Sequence, residues 1–291
     1  MAKDIQPLFT KTIPFEVYRY QLVVNKAIQL SLDSQYQTAG EIREHKNRIF
    51  QGLISNPRFK FASSKSQLNS KLVYNKGNLS IFRLAVKRRL KHELPDFGEE
   101  IIDNYPKFLI AINNDKDVQK IAIQHNLKAF AKVTSVSKIV EESIQNKIRK
   151  ENLGFYIEPL FNKQRFWDLI KQYKGRVTQL SFDLITPNLA NITKNLKLNL
   201  KQIYEETGTH KTTVQLNSDK NSHLEINEAS KFINSLVNYS AEGGGNIAVR
   251  VAGYHKKFHT SDSIQTFDVD EQLLKSNDWE ALDEAFREIL L

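Results

Sequence analysis

The stretch KFLIAINNDKDVQKIAIQH, residues 107–125, constrains the fold more than any other. Its two apolar runs, FLIAI and IAI, are rich in β-formers and are separated by polar turn residues, so they read as a β-hairpin turning around 115–117. A helical pattern follows directly, SVSKIVEESIQNKIRKEN, whose apolar stripe is Val136, Ile139, Val140, Ile144 and Ile148, with Gly154 just beyond it. Strand and helix then alternate. GFYIEPL reads as a strand, and NKQRFWDLIKQYKG as a helix with Asn162 at its N-cap and Gly175 after its end. RVTQLSFDLI is a strand, and the segment from Thr186 and Pro187 to Gly208 a helix. KTTVQLN is a strand, NEASKFINSLVNYSAEGGG a helix closed by glycines, and NIAVRVAG a strand.

The first hundred residues are patterned in the same way. PFEVYRYQLVV is a strand and AGEIREHKNRIFQGLI a helix. KLVYNKGNLSIFRLAVKRRL is a strand pair joined at 75–78, with Gly77 in the turn. Phe82, Leu84 and Val86 share one side of its second strand, and the alternation breaks at 85–87. HELPDFGEEIIDNYP, punctuated by Pro95, Gly98 and Pro106, marks a boundary. The chain ends in NDWEALDEAFREILL, an acidic helix with Trp279, Leu282, Phe286 and Ile289 on one face and a capping-box pair at Asn277 and Glu280. Such a stripe must be buried, on the protein's own body or on a second copy, and intramolecular docking is the expectation. The fold class is therefore α/β or α+β: two-lobed, with mixed sheets, βαβ units that imply partly parallel pairing, and an amphipathic C-terminal helix. The expected divisions are a basic N-terminal α+β domain at 1–103, an α/β domain at 104–260, and an acidic segment at 261–291 with the docking helix.

Charge separates these parts. The net charge is +9 over 291 residues, but residues 1–150 carry 26 Lys and Arg against 14 Asp and Glu, and residues 261–291 carry 2 against 9. A basic front suits a polyanionic partner, and an acidic tail suits a partner protein or the chain's own basic face. Cysteine is absent, which excludes disulfides, thiolate metal sites and cysteine nucleophiles. No apolar run reaches the roughly 18 residues of a membrane span, and the first residues lack the pattern of a secretory signal, so no membrane insertion and a cytoplasmic location are expected.

The densest cationic motif is FRLAVKRRLKHE, which carries Arg83, Lys87, Arg88, Arg89 and Lys91. Phosphates call for closely spaced cations, and arginine adds planar bidentate contacts. Against this, charge on an exposed strand also guards an edge against aggregation. Lys194, Lys197 and Lys201 fall at i, i+3 and i+7 of the expected helix after Pro187 and would align on one face, or serve only as its wet side. In YHKKFHT, His255 and His259 flank Lys256 and Lys257; without a Glu or Cys in a ligating pattern they extend a basic surface rather than hold a metal. The glycines of AEGGGNI stand between a helix and a strand, the wrong order for a phosphate cradle, and read as a flexible connection. No catalytic signature, cofactor fingerprint or metal motif is present. Asp183 and Glu158 lack the spacing of a metal-dependent nuclease, although Glu158 or Asp183 gathered in a cleft with another carboxylate and a lysine would favour one.

The order of elements in GFYIEPLFNKQRFWDLIKQYKGRVTQLSFDLITPNLANI, preceded by FLIAIN and KIAIQ, resembles the RexA-like phage-exclusion family of lambdoid phage. It also resembles uncharacterised bacterial proteins of mobile and defence-associated loci. The pattern is a hydrophobic strand, then Ile157, Glu158, Pro159 and Leu160, a short helix, and a strand ending at Thr186, Pro187 and Asn188; it covers roughly residues 105–255. The resemblance implies a DNA-binding, dimeric sensor in abortive infection that acts with a separate effector protein. It transfers no contact residue and does not reach the cluster at 83–91. The leading expectation is thus a protein that holds double-stranded DNA by its backbone in anti-phage defence. A nuclease and a protein-interaction adaptor are the alternatives.

Overall fold

In a computed structural model the protein is described over residues 11–25, 35–64, 66–186 and 196–290. Its main body is a seven-stranded sheet in the order β13-β1-β7-β6-β3-β2, with β8 also on β1. The long β1 (Thr12–Val24) is its spine. Residues 12–16 pair with β13 (Thr266–Asp270), and residues 18–24 pair on the same edge with β8 (Leu153–Pro159). β6 (Lys107–Asn113) and β7 (Lys120–Gln124) form the expected hairpin, and β2 (Asn69–Lys76) and β3 (Leu79–Ala85) turn at Gly77, whose φ of 57° favours glycine.

The continuity of FLIAI and IAI has a direct cause. Phe108, Ile110, Ile112, Ile121 and Ile123 face one core, while Leu109, Ala111 and Ala122 face another. The first core lies under α1 (Ala39–Ile54), capped by the reciprocal Thr38–Glu41 pair, and α2 (Val133–Ile148). The second lies under α6 (Glu271–Ser276) and α7 (Trp279–Leu290). A strand covered on both faces has no solvated side on which polar residues are favoured.

A second sheet, β10-β9-β11-β12, has its own core under α3 (Lys163–Gln172) and α5 (Lys231–Tyr239). It comprises β9 (Val177–Ile185), β10 (Lys211–Asn217), β11 (Gly245–Val251) and β12 (Phe258–His259), and α4 (Leu200–Thr207) precedes β10. Between the two bodies lies the turn at 240–244. There Gln21 donates to the Gly243 carbonyl, and Arg19 reaches Glu242. A short ribbon, β4 (Arg88–Glu93) and β5 (Glu99–Asn104), pairs only with itself.

The fold is α+β with a C-terminal helix, as expected, and the structure refines its parts. Every ladder among the described strands is antiparallel, so the parallel pairing expected from the βαβ units does not occur there. β8 and β9, which flank α3, belong to different sheets; β7 and β8, which flank α2, are separated by β1, and β10 and β11, which flank α5, by β9, each antiparallel to it. Residues 1–103 and 104–260 are not separate bodies, since β3 pairs with β6 over seven residues and segment 261–291 returns β13 to β1. The second body is instead the sheet and core built from residues 161–258.

Local details shift in the same way. The long helix from Thr186 to Gly208 is described only as α4, which starts after its N-cap Asn199; Thr186 instead donates to the Thr209 carbonyl. α2 runs on into a 3-10 turn at Arg149–Glu151 that ends at Asn152, whose left-handed backbone takes the place expected of Gly154. Asp278, not Asn277, caps α7, accepting from the Ala281 amide; Asn277 ends α6 in a left-handed conformation, and Glu280 pairs with Lys76. The glycine run is closely packed. All three glycines are buried, and a Cβ on Gly245 would lie 2.1 Å from the Asp183 carbonyl oxygen.

Candidate functional site

The cationic cluster of residues 83–91 is divided among several tasks. Arg83, at the end of β3, lies over the Trp279 ring and donates to Asn277 at 2.5 Å. Arg88 anchors the base of the ribbon, donating to the Ala129 carbonyl and stacking on Phe130. Lys87 pairs with Asp103 and Lys91 with Glu99, each at 2.6 Å, across the ribbon itself. The Arg89 side chain is exposed and makes no hydrogen bond or ion pair with the other described residues. The cluster is therefore not one free phosphate-binding face: neighbouring carboxylates neutralise two of its members and packing engages two more. Lys194 lies outside the described residues. Lys197 precedes α4 and Lys201 lies within it, paired with Glu205, so the two do not share a helical face. Lys256 and Lys257 lie in the loop between β11 and β12, Lys256 exposed and Lys257 half-buried.

A different set of cations converges. At the end of the main sheet, a groove of about 750 Å³ is lined by Lys11, Arg83, Lys107, Lys128 and Lys275. Its one carboxylate is Glu271, held below its ordinary pKa first by the hydrogen bond from Lys275 and then by Lys11. Of these five cations only Arg83 stands in the basic cluster. The others come from the start of β1, β6, the loop after β7, and α6, spread over more than 260 residues, so no spacing rule could have found them. Antiparallel pairing makes the set: Ala85, two residues beyond Arg83, lies opposite Lys107.

His125 lines this groove and also the next depression, a cleft of about 1060 Å³ between the two sheets. Its Nε2 lies 2.7 Å from Glu16 Oε1, and the other oxygen of Glu16 accepts from the Tyr18 hydroxyl. Burial and the Glu16 charge raise the Tyr18 pKa and keep the phenol neutral. Four cations line the cleft: Lys132 and Lys138 of the α2 region, Arg165 of α3, and Lys211 of β10. The α2 N-terminus also faces it through Lys132, Val133 and Thr134, and Lys132 makes no side-chain cap there. Glu158, half-buried in the cleft, has its pKa raised from 4.5 to about 8, chiefly by burial and then by the charge of Glu141, with Lys211 opposing. Burial also raises Glu141, against Lys211 and Lys138. At neutral pH Glu158 is then largely protonated, and Glu16, Glu141 and Asp262 line the same cleft beside the four cations.

Glu158, Glu141, Asp183 and Lys211 thus interact electrostatically across three strands and a helix, a neighbourhood that the spacing of Glu158 and Asp183 did not reveal. Asp183 is engaged by the Thr213 hydroxyl at 2.8 Å, and among the described residues no three carboxylates or histidines converge to hold a metal ion. The acidic C-terminal helix, the feature of the adaptor alternative, buries Leu282, Phe286 and Leu290 against the protein's own sheet. No helix among the described residues is long and apolar enough to cross a membrane. No protein-family model matches the chain, and no curated protein matches it.

Proposed function

We propose that the protein binds nucleic acid, double-stranded DNA in the first place, through its phosphate backbone. The observation that carries this reading is the groove of Lys11, Arg83, Lys107, Lys128 and Lys275, where five cations face one carboxylate. Such cations contact phosphates and position a duplex without reading its sequence. His125 lines both this groove and the cleft beside it. Arg89, Lys256 and Lys257 remain available as peripheral contacts. Together with the RexA-like order of elements, this supports a cytoplasmic DNA-binding sensor of phage exclusion that works as a dimer with a separate effector.

A salt titration of binding to a random duplex tests it. About six phosphate contacts make affinity fall roughly a thousandfold between 50 and 200 mM salt. Replacing Arg83, Lys107 and Lys128 together by Ala weakens binding to all sequences alike and lowers the salt slope by about 3. A flat salt response, or a triple variant that binds like the parent, overturns the reading.

A further inference from the structure

The cleft between the two sheets has features that duplex binding does not call for. It is a depression of about 1060 Å³, near the upper end of the small-molecule range. Its cations are Lys132 and Lys138 of the α2 region, Arg165 of α3 and Lys211 of β10, and Glu16, Glu141, Glu158 and Asp262 share the lining. Arginine can grip two oxygens of one phosphate, lysines add point charges, and the uncapped start of α2 offers amide hydrogens. Apolar surface is present beside them: Ile157, Pro159 and Ile264 share the lining, a place for a flat ring.

We propose that this cleft binds a phosphomonoester carried on a nucleoside, with Arg165 and Lys211 as principal phosphate ligands. The chemistry is shared by a free nucleoside monophosphate and by the 5′-phosphate of a strand lying in the adjoining groove. Glu158 completes the site: its acid form donates a hydrogen bond to a phosphate oxygen, and its ionised form would repel it. Glu141, Lys211 and Asp183 act on Glu158 electrostatically, and Glu16, Asp262, His125, His259, Lys132, Lys138 and Arg165 line the cleft with it. The proposal stands independently of DNA binding in the groove, because the groove cations are not among the principal ligands.

Calorimetry on the full chain decides it, with AMP, inorganic phosphate and adenosine as probes. AMP is expected to bind at least tenfold more tightly than adenosine. The Lys211→Gln, Arg165→Gln double variant is expected to lose at least tenfold in AMP affinity while keeping its thermal midpoint, since both residues are exposed. A second arm compares a 5′-phosphorylated single-stranded 12-mer with its 5′-hydroxyl form. A preference for the phosphorylated strand that the double variant abolishes identifies a strand end as the source; AMP binding without that preference identifies a free nucleotide. AMP binding no tighter than adenosine, or a double variant that binds AMP like the parent, overturns the proposal.

Discussion

Among single residues, Glu158 carries the clearest titration signature. Its pKa is raised in the folded protein to about 8, whereas the unfolded chain releases the proton near 4.5. The folded state therefore holds the proton more tightly. The stabilisation is complete below about pH 4.5 and is lost as pH rises through 8, where the half-buried carboxylate must ionise. Glu158→Gln keeps the side chain neutral and removes that loss. Urea unfolding should show the variant gaining on the parent by on the order of 1–2 kcal/mol at pH 9 and little at pH 5, after allowance for solvent screening. Parallel stability profiles from pH 5 to 9 would assign the titration elsewhere. None of this was legible in the sequence, where Glu158 is one carboxylate in IEPL. Its pKa depends on Glu141, seventeen positions earlier, and on Lys211, fifty-three later.

Secondary-structure elements were far more legible, because they follow from local periodicity. The helix read at 39–54 has those bounds, and the 107–125 hairpin lies where its apolar runs and turn residues place it. What local patterns misjudged were junctions. The glycine run at 243–245 looks permissive in sequence, yet each glycine answers a close approach: Gly243 to Arg19, Gly244 to the Tyr239 ring, and Gly245 to the Asp183 backbone. Gly245→Ala sets a methyl group against main chain that cannot rotate away. It should cost about 3 kcal/mol or more, read as a lowered urea midpoint, whereas Gly52→Ala, in the interior of α1 and facing open space, should be neutral or stabilising. Equal effects at the two positions would mean that the junction yields. The caps show the same limit. Asn277 and Asp278 are adjacent candidates, and the left-handed turn at Asn277, with its side chain taken by Arg83, leaves the cap of α7 to Asp278.

For the whole molecule, the ribbon of β4 and β5 is the exposed apolar feature that bears on assembly. Leu90, Ile101 and Ile102 are 50%, 63% and 43% exposed, and Phe97 at its turn is fully exposed. A two-stranded ribbon with open edges gains stability when a partner covers it. If the protein is the proposed dimer and this ribbon is its contact, replacing Leu90, Ile101 and Ile102 by Ser should halve the mass measured by light scattering and leave the circular dichroism spectrum unchanged. A parent that is already monomeric at tens of micromolar, or a variant that remains dimeric, removes the ribbon from the interface.

By itself the sequence determined the kinds and places of most elements, the absence of thiol chemistry, and the uneven charge. These are properties of neighbours in the chain, and periodicity and composition report neighbours. Tertiary structure alone decided that one sheet spans the supposed boundary at residue 103, that the cluster at 83–91 is largely spent on its own ribbon and on packing, and that distant lysines and arginines meet in a groove and a cleft. Long-range pairing made those decisions. A strand's register against β1 or β3 brings together side chains that no sequence window contains, and an electrostatic field depends on distance through space rather than along the chain.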